Sequence, residues 1–359
     1  MSRGVLSLVA VGALVLATAG CGGSSGGSRV GGGIPASELK DALQLVPAKF
    51  DSVRFTDQQR GLKELGFPDA TGKMVDDRAK MASYSKKSAD SSYAVDLASW
   101  IYPMQSWGWN ALDVQWEAAA SGVSTPPMTI DKMRPGLDMQ VVIDSLTKRG
   151  YQRSGSKDAP HFKLPRGKMT SADTVIPLAL GVTVVPGRHL VVMTGDATAV
   201  ATGSGSFATK SVVRTVAQDA ADAGVVTIAT GKSACANPRA ASPASMRVVH
   251  PDRLKKVQGW AAAETDTLAG HVTVAYPNET TASADKNARS SLIASGTDPT
   301  QARPYRDLFT ARVAEHGNTL AYSLKFTRPA LLLRMTQQAD TPWAFCPGSS
   351  GGAADTPTS

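Results

Sequence analysis

The chain is poor in the residues that announce chemistry. Only three of its 359 residues are cysteine, aromatics make up 6%, and after Leu16 no apolar run approaches the roughly 20 residues of a membrane-spanning helix. So little cysteine excludes a disulfide-dense scaffold and a Cys-rich zinc module. The five histidines, His161, His189, His250, His271 and His316, lie far apart, and none belongs to an H-x-x-x-H pair. His189 and His271 fall on strand patterns and read as structural residues. No Asp-rich loop has calcium spacing. Neither a metal nor a cofactor is therefore expected.

Enzyme signatures are incomplete in the same way. G-x-S-x-G occurs at Gly22 to Gly26 and at Gly348 to Gly352, both within glycine-serine tracts that cannot build a strained strand-to-helix elbow. S-x-x-K occurs repeatedly, among other places at Ser83, Ser145, Ser154 and Ser283, without the S-x-N and K-T-G motifs that penicillin-binding proteins also need. Gly231-Lys232-Ser233 looks like the end of a P-loop, but Val226 stands where its first glycine should be. The expectation is a protein that is not an enzyme.

What is present begins at the N-terminus. Arg3 precedes an apolar segment, Val5 to Leu16, with the form of an export signal. Two cuts compete at its end. Ala17-Thr18-Ala19 is an A-x-A site for ordinary signal peptidase, and Thr18-Ala19-Gly20-Cys21 fits a lipobox, with Thr18 where Leu is usual. The second resembles bacterial lipoproteins, a resemblance that implies a diacylglyceryl thioether on Cys21. Two acyl chains hold a protein stably on a bilayer where one does not. Residues 1–20 are then the signal peptide. Residues 21–35 form a Gly/Ser tether with a root-mean-square reach of roughly 20 Å. Residues 348–359 carry no large apolar side chain and are expected to be disordered.

The formal charge is +8 and becomes +7 without residues 1–20, where Arg3 is the only charged residue. The balance would favour anionic head groups or wall polymers, but acids are interspersed with the Lys and Arg, and a mildly basic solvated surface is the plainer reading. Nucleic acid has no support beyond this charge, and export argues against it. With Cys21 acylated, Cys235 and Cys346 remain as an even pair in an oxidising compartment, the arithmetic of one disulfide. Two buried thiols are the alternative.

Periodicity supplies the elements. Leu39, Leu43 and Val46 predict a helix stopped at Pro47, and DSVRFT predicts a strand. Gln58 to Leu65 is a short helix closed by Gly66, and Asp138 caps another that ends at Gly150. Leu112, Val114, Trp116 and Ala118 alternate with Asp113, Gln115 and Glu117, which predicts a strand with one face in water and antiparallel pairing. MTIDKM and HFKL are further strands, and VTVVPGRHLVVM is a hairpin turned at Pro186-Gly187.

A helix from about Ser206 to Ala223, the strand VVTIAT and a helical patch over 252–260 follow. After these come the strand HVTVAY, the helix SADKNARSSLIAS, a hairpin at Gly317-Asn318, and ALLLRM. The order strand, helix, strand, hairpin occurs twice. The expected architecture is α+β in two lobes, 36–203 and 204–347, each a mainly antiparallel sheet with helices packed on one face, dividing near Gly203-Ser204-Gly205.

Four of the six tryptophans, Trp100, Trp107, Trp109 and Trp116, fall within SWIYPMQSWGWNALDVQW. Tyr93, Leu97, Trp100, Ile101 and Met104 trace one helical stripe, so Trp100 is expected in the core, and Trp116 on the apolar side of its strand. Trp107 and Trp109 flank Gly108 in an expected loop, where large aromatics are hard to bury. They stand evenly between core and contact surface.

VPAKFDSVRFTD, NALDVQWEA, DMQVVIDSLTKRGY and LVVMTGD together resemble uncharacterised exported lipoproteins of high-GC Gram-positive bacteria, over most of residues 38–200. That resemblance implies no activity, cofactor or catalytic residue. The expectation is a lipid-anchored protein on the outer face of the cytoplasmic membrane, or a secreted one under the rival cut. It would bind or scaffold an envelope protein or wall polymer through Trp107 and Trp109. The alternatives are a transporter-associated solute receptor, which calls for a doubly wound parallel sheet, and an envelope hydrolase whose site is assembled from distant residues.

Overall fold

The computed structural model describes residues 34–94, 107–165, 167, 181–194, 200–201, 203–236, 253–298 and 303–346. Cys21, the tether up to Gly33, Trp100, most of the stripe that begins at Tyr93, His250 and residues 348–359 lie outside them.

Twelve strands form one antiparallel sheet. In chain order they are β1 Ser52–Asp57, β2 Val114–Gly122, β3 Thr125–Met133, β4 Gln152–Gly155, β5 Pro160–Lys163, β6 Gly181–Val185, β7 Leu190–Thr194, β8 Val225–Thr230, β9 Gly259–Asp266, β10 Ala269–Ala275, β11 Phe309–His316 and β12 Thr319–Phe326. Across the sheet the order is β11-β12-β10-β9-β8-β1-β2-β3-β7-β6-β5-β4.

Seven α-helices accompany the sheet among the described residues: α1 Glu38–Leu45, α2 Gln58–Glu64, α3 Arg78–Ser88, α4 Met139–Lys148, α5 Ser211–Ala217, α6 Glu279–Ser295 and α7 Leu331–Gln337. Their ends follow local chemistry. Ser37, Asp57, Asp138 and Asn278 accept backbone N–H bonds at the starts of α1, α2, α4 and α6. Gly66 and Gly150, at φ +83° and +86°, supply the left-handed turn after α2 and α4.

The two halves of the chain share this sheet. β1 is central and pairs with β2 on one side and β8 on the other, Arg54 lying opposite both Ala119 and Thr227. The segment expected to divide the lobes is held against α1. Ala201 N–H donates to Leu45 O at 2.7 Å, Phe207 N–H to Val46 O at 2.7 Å, and Ala48 N–H to Gly205 O at 2.8 Å.

Helices cover both faces, whereas one covered face was expected. α1 and α5 pack with Val53, Phe55, Trp116, Ala118, Val226 and Ile228. On the opposite face α3 and α4 pack with Val114, Met133, Val184 and Met193, and α6 and α7 with Trp260, Val272, Val274 and Tyr322. Alternate strand residues feed two cores.

Other expectations shift in detail. The helix expected at 206–223 is confined to α5 between short 3-10 turns. The helical patch expected at 252–260 is not formed in its described part: residues 254–258 are irregular, and Gly259 and Trp260 already open β9. α3 carries too few apolar residues to show a periodicity and buries only Met81, Tyr84 and Ser88.

Cys235 and Cys346 form the disulfide expected from their parity, across 111 residues. It fastens the segment after β8 to the segment that follows α7, where Ala236 N–H also donates to Ala344 O at 2.9 Å. Beside it Arg289 is fully buried. Its Nε meets Asp285 Oδ2 at 2.6 Å, and its remaining nitrogens donate to the carbonyls of Pro342, Phe345 and Lys255.

Candidate functional site

Trp107 and Trp109 are each 1% exposed and belong to the core, not to a contact surface. Gly108 explains how a loop buries both. At φ +87° it turns the chain tightly against α4, and a Cβ there would stand 2.8 Å from both Val141 O and Ser145 Oγ. The two indoles lie 5.6 Å apart with the Arg149 guanidinium over Trp107 at 5.4 Å. The loop continues into Asn110 and Asp113, which cap one another, and Asp113 also accepts from Gly72 N–H and Arg134 Nε, each at 2.9 Å.

A bulge then changes which side chains share a face. Val114 lies opposite Met133 and Trp116 opposite Lys132, so one extra residue separates them on β2. Val114 joins the core under α4 and Trp116, 2% exposed, the core under α1. The simple alternation from Leu112 to Ala118 is broken at this point. Glu117, expected in water, is 3% exposed, and Asp131 directly across from it on β3 is 0% exposed.

These two carboxyls, with Arg54 on β1, make a buried ionisable cluster. Burial pushes both acids above the usual carboxylate range, and the Glu117 charge pushes Asp131 further. Burial lowers the Arg54 guanidinium while Glu117 raises it. The Trp109 indole is near enough to favour the charged form of Asp131, yet neither Asp131 oxygen nor the indole N–H closes a hydrogen bond. Sequence reasoning passed over this pair. Its one signal is an acid amid MTIDKM, where Met128, Ile130 and Met133 are all buried.

The pair lines neither of two clefts found among the described residues. The larger, about 750 Å³, lies beside α1, backed by Trp116 and Leu190 and rimmed by Lys40, Lys132, Arg188 and Arg214 together with Glu38 and Asp41. Ile34, the first described residue, is in its wall. Burial and then Asp57 push the Glu38 carboxyl up, and Gln115 Nε2 donates to it at 2.7 Å. The smaller cleft, about 680 Å³, shares Glu38 and adds Arg60, Lys63 and Glu64.

The described histidines stay apart. His161 Nδ1 meets Thr183 Oγ1 at 3.0 Å, His271 Nε2 meets Thr273 Oγ1 at 3.1 Å, and His189 takes the left-handed turn before β7 at φ +50°. His316 ends β11. Among the described residues no group of three His, Cys, Asp or Glu could hold a metal ion, and no helix is long and apolar enough to cross a membrane. Compared with family models, curated proteins and solved structures, the chain matches none.

Proposed function

We propose that this is an exported lipoprotein, anchored through Cys21 on the outer face of the cytoplasmic membrane. It works there as a non-enzymatic binding or scaffolding protein for an envelope protein or wall polymer. The observation that carries this reading is the position of Ile34 in the wall of the larger cleft. The Gly/Ser tract that leads back to Cys21 joins the fold there, so a short leash and the more cationic of the two clefts meet at one place. The contact moves accordingly from the buried Trp107 and Trp109 to the α1 cleft.

The two halves are read as copies of one unit. With α2 and α3 inserted after β1, β4 and β5 after α4, and α7 added at the end of the second half, the order α1-β1-β2-β3-α4-β6-β7 matches α5-β8-β9-β10-α6-β11-β12, and the matched strands lie in the sheet as 1-2-3-7-6 and 8-9-10-12-11. Each copy lends its first strand to the seam. The antiparallel pairing throughout is the opposite of what the solute-receptor alternative calls for.

Metabolic labelling with palmitate tests the anchor. Label should enter the wild-type chain and vanish in Cys21→Ala. An unlabelled wild-type chain found in the medium would instead support the cut after Ala19.

A further inference from the structure

We infer that the α1 cleft is a second, electrostatic contact with the membrane, taking the phosphate-bearing head group of an anionic lipid in the leaflet that holds the Cys21 anchor. This rests on the anchored reading above, and the test below separates the two.

The cleft carries two more cations than carboxylates. Lys132 Nζ donates to Arg188 O at 2.7 Å, which ties β3 to the turn before β7 and fixes one wall. Lys40, Arg188 and Arg214 make no ion pair among the described residues, so their charge is free for a ligand. The planar guanidinium groups of Arg188 and Arg214 suit two-point binding of phosphate oxygens. Of the two opposing acids, Glu38 accepts a hydrogen bond from Gln115 Nε2 at 2.7 Å, and burial and Asp57 raise its carboxyl. Asp41 is exposed to solvent.

Position selects the lipid over other anions. The tether gives a reach of roughly 20 Å, so the cleft wall at Ile34 is held close to the bilayer. The negative surface potential there acts within a Debye length, about 8 Å at physiological salt. Each Lys or Arg at such a surface is worth about 1 kcal/mol, roughly a fivefold change in binding.

The test uses the full chain carrying Cys21→Ser, which has no acyl anchor, sedimented with vesicles of phosphatidylglycerol and phosphatidylcholine or of phosphatidylcholine alone. Binding to the anionic vesicles only is expected. The variant Lys40→Gln with Arg188→Gln and Arg214→Gln should lose on the order of 100-fold. A control with equal charge change on β4, β11 and β12, outside the cleft lining, Arg153→Gln with Arg312→Gln and Lys325→Gln, should retain binding. Both variants have substitutions at surface positions, and circular dichroism confirms that they fold.

Equal loss in the control, equal binding to neutral vesicles, or no binding overturns the inference. So does competition by millimolar glycerol phosphate in solution, which would mark a site for free anions. Palmitate labelling reports the anchor separately. Its failure alongside selective vesicle binding removes the lipoprotein reading and leaves the head-group contact standing.

Discussion

Glu117 and Asp131 stand directly across from one another on β2 and β3, two carboxyl groups in register and out of water near the middle of the sheet. Like charges so placed repel, burial raises both carboxyls, and Arg54 on β1 opposes the rise at Glu117. Both acids bind protons more tightly in the folded chain than in the unfolded one, so this pair's contribution to stability falls as pH rises. The fall begins above the unfolded carboxyl range, about 4. For Glu117 it is complete once the pH has passed its folded value of about 7, and Asp131 extends it further. The slope reaches about 1.4 kcal/mol per pH unit for each group. Urea unfolding between pH 5 and pH 8 should show a shallower decline for Glu117→Gln than for wild type, and a more stable variant at pH 8. Parallel declines would show that the pair does not titrate in this range.

Burial of Trp107 and Trp109 turns a binding experiment into a stability one. Trp107→Ala or Trp109→Ala should cost about 3 to 5 kcal/mol each and lower Tm on the order of 10 °C. Gly108→Ala, which changes no aromatic surface, should also destabilise because its Cβ meets Val141 O. Thermal melts of the three variants are the measurement. Unchanged Tm in all three would return the loop to the surface.

The disulfide closes its loop inside the second half of the chain. In the chain-entropy model, Cys235→Ser with Cys346→Ser should cost about 4 to 5 kcal/mol. Alkylation of the unreduced wild-type protein followed by mass analysis should label neither cysteine. Label at either position would break the assignment.

Arg289 and Asp285 are both 0% exposed. Arg289→Leu leaves the buried Asp285 carboxyl without its cation and strips donors from three carbonyls, so a loss of about 3 to 5 kcal/mol is expected. Arg289→Lys should recover little of it, because an ammonium cannot span Asp285 and the carbonyls of Pro342, Phe345 and Lys255 as a planar fork does. Denaturant midpoints for the two variants decide this. A lysine variant as stable as wild type would mean that charge alone is needed there.

Much of the architecture is written locally. Ser37 and Asp138 announce α1 and α4, Gly66 and Gly150 close α2 and α4, and Pro186-Gly187 and Gly317-Asn318 turn their hairpins. The Cys235–Cys346 link follows from parity. What stayed hidden depends on contacts between distant segments. The bulge between Val114 and Trp116 is set by the register with β3, and it carries Val114 to one core and Trp116 to the other. Glu117 looked like a water-facing residue because its own strand alternates, and nothing in that strand reports that α4 and the Trp107 loop lie on the same side. The α1 cleft is assembled from α1, β3, the turn before β7 and α5, which no window of sequence spans.

The sharing of β1 also bears on how the chain comes through a membrane. Export as proposed runs N-terminus first, so β1 to β7 emerge with one side of β1 satisfied by β2 and the other bare until Val225–Thr230 arrives. An open edge of this kind recruits strands from other molecules. A chain interrupted at Gly203 should therefore be sticky rather than a stable half, and full-length product depends on the second half docking before a neighbour does.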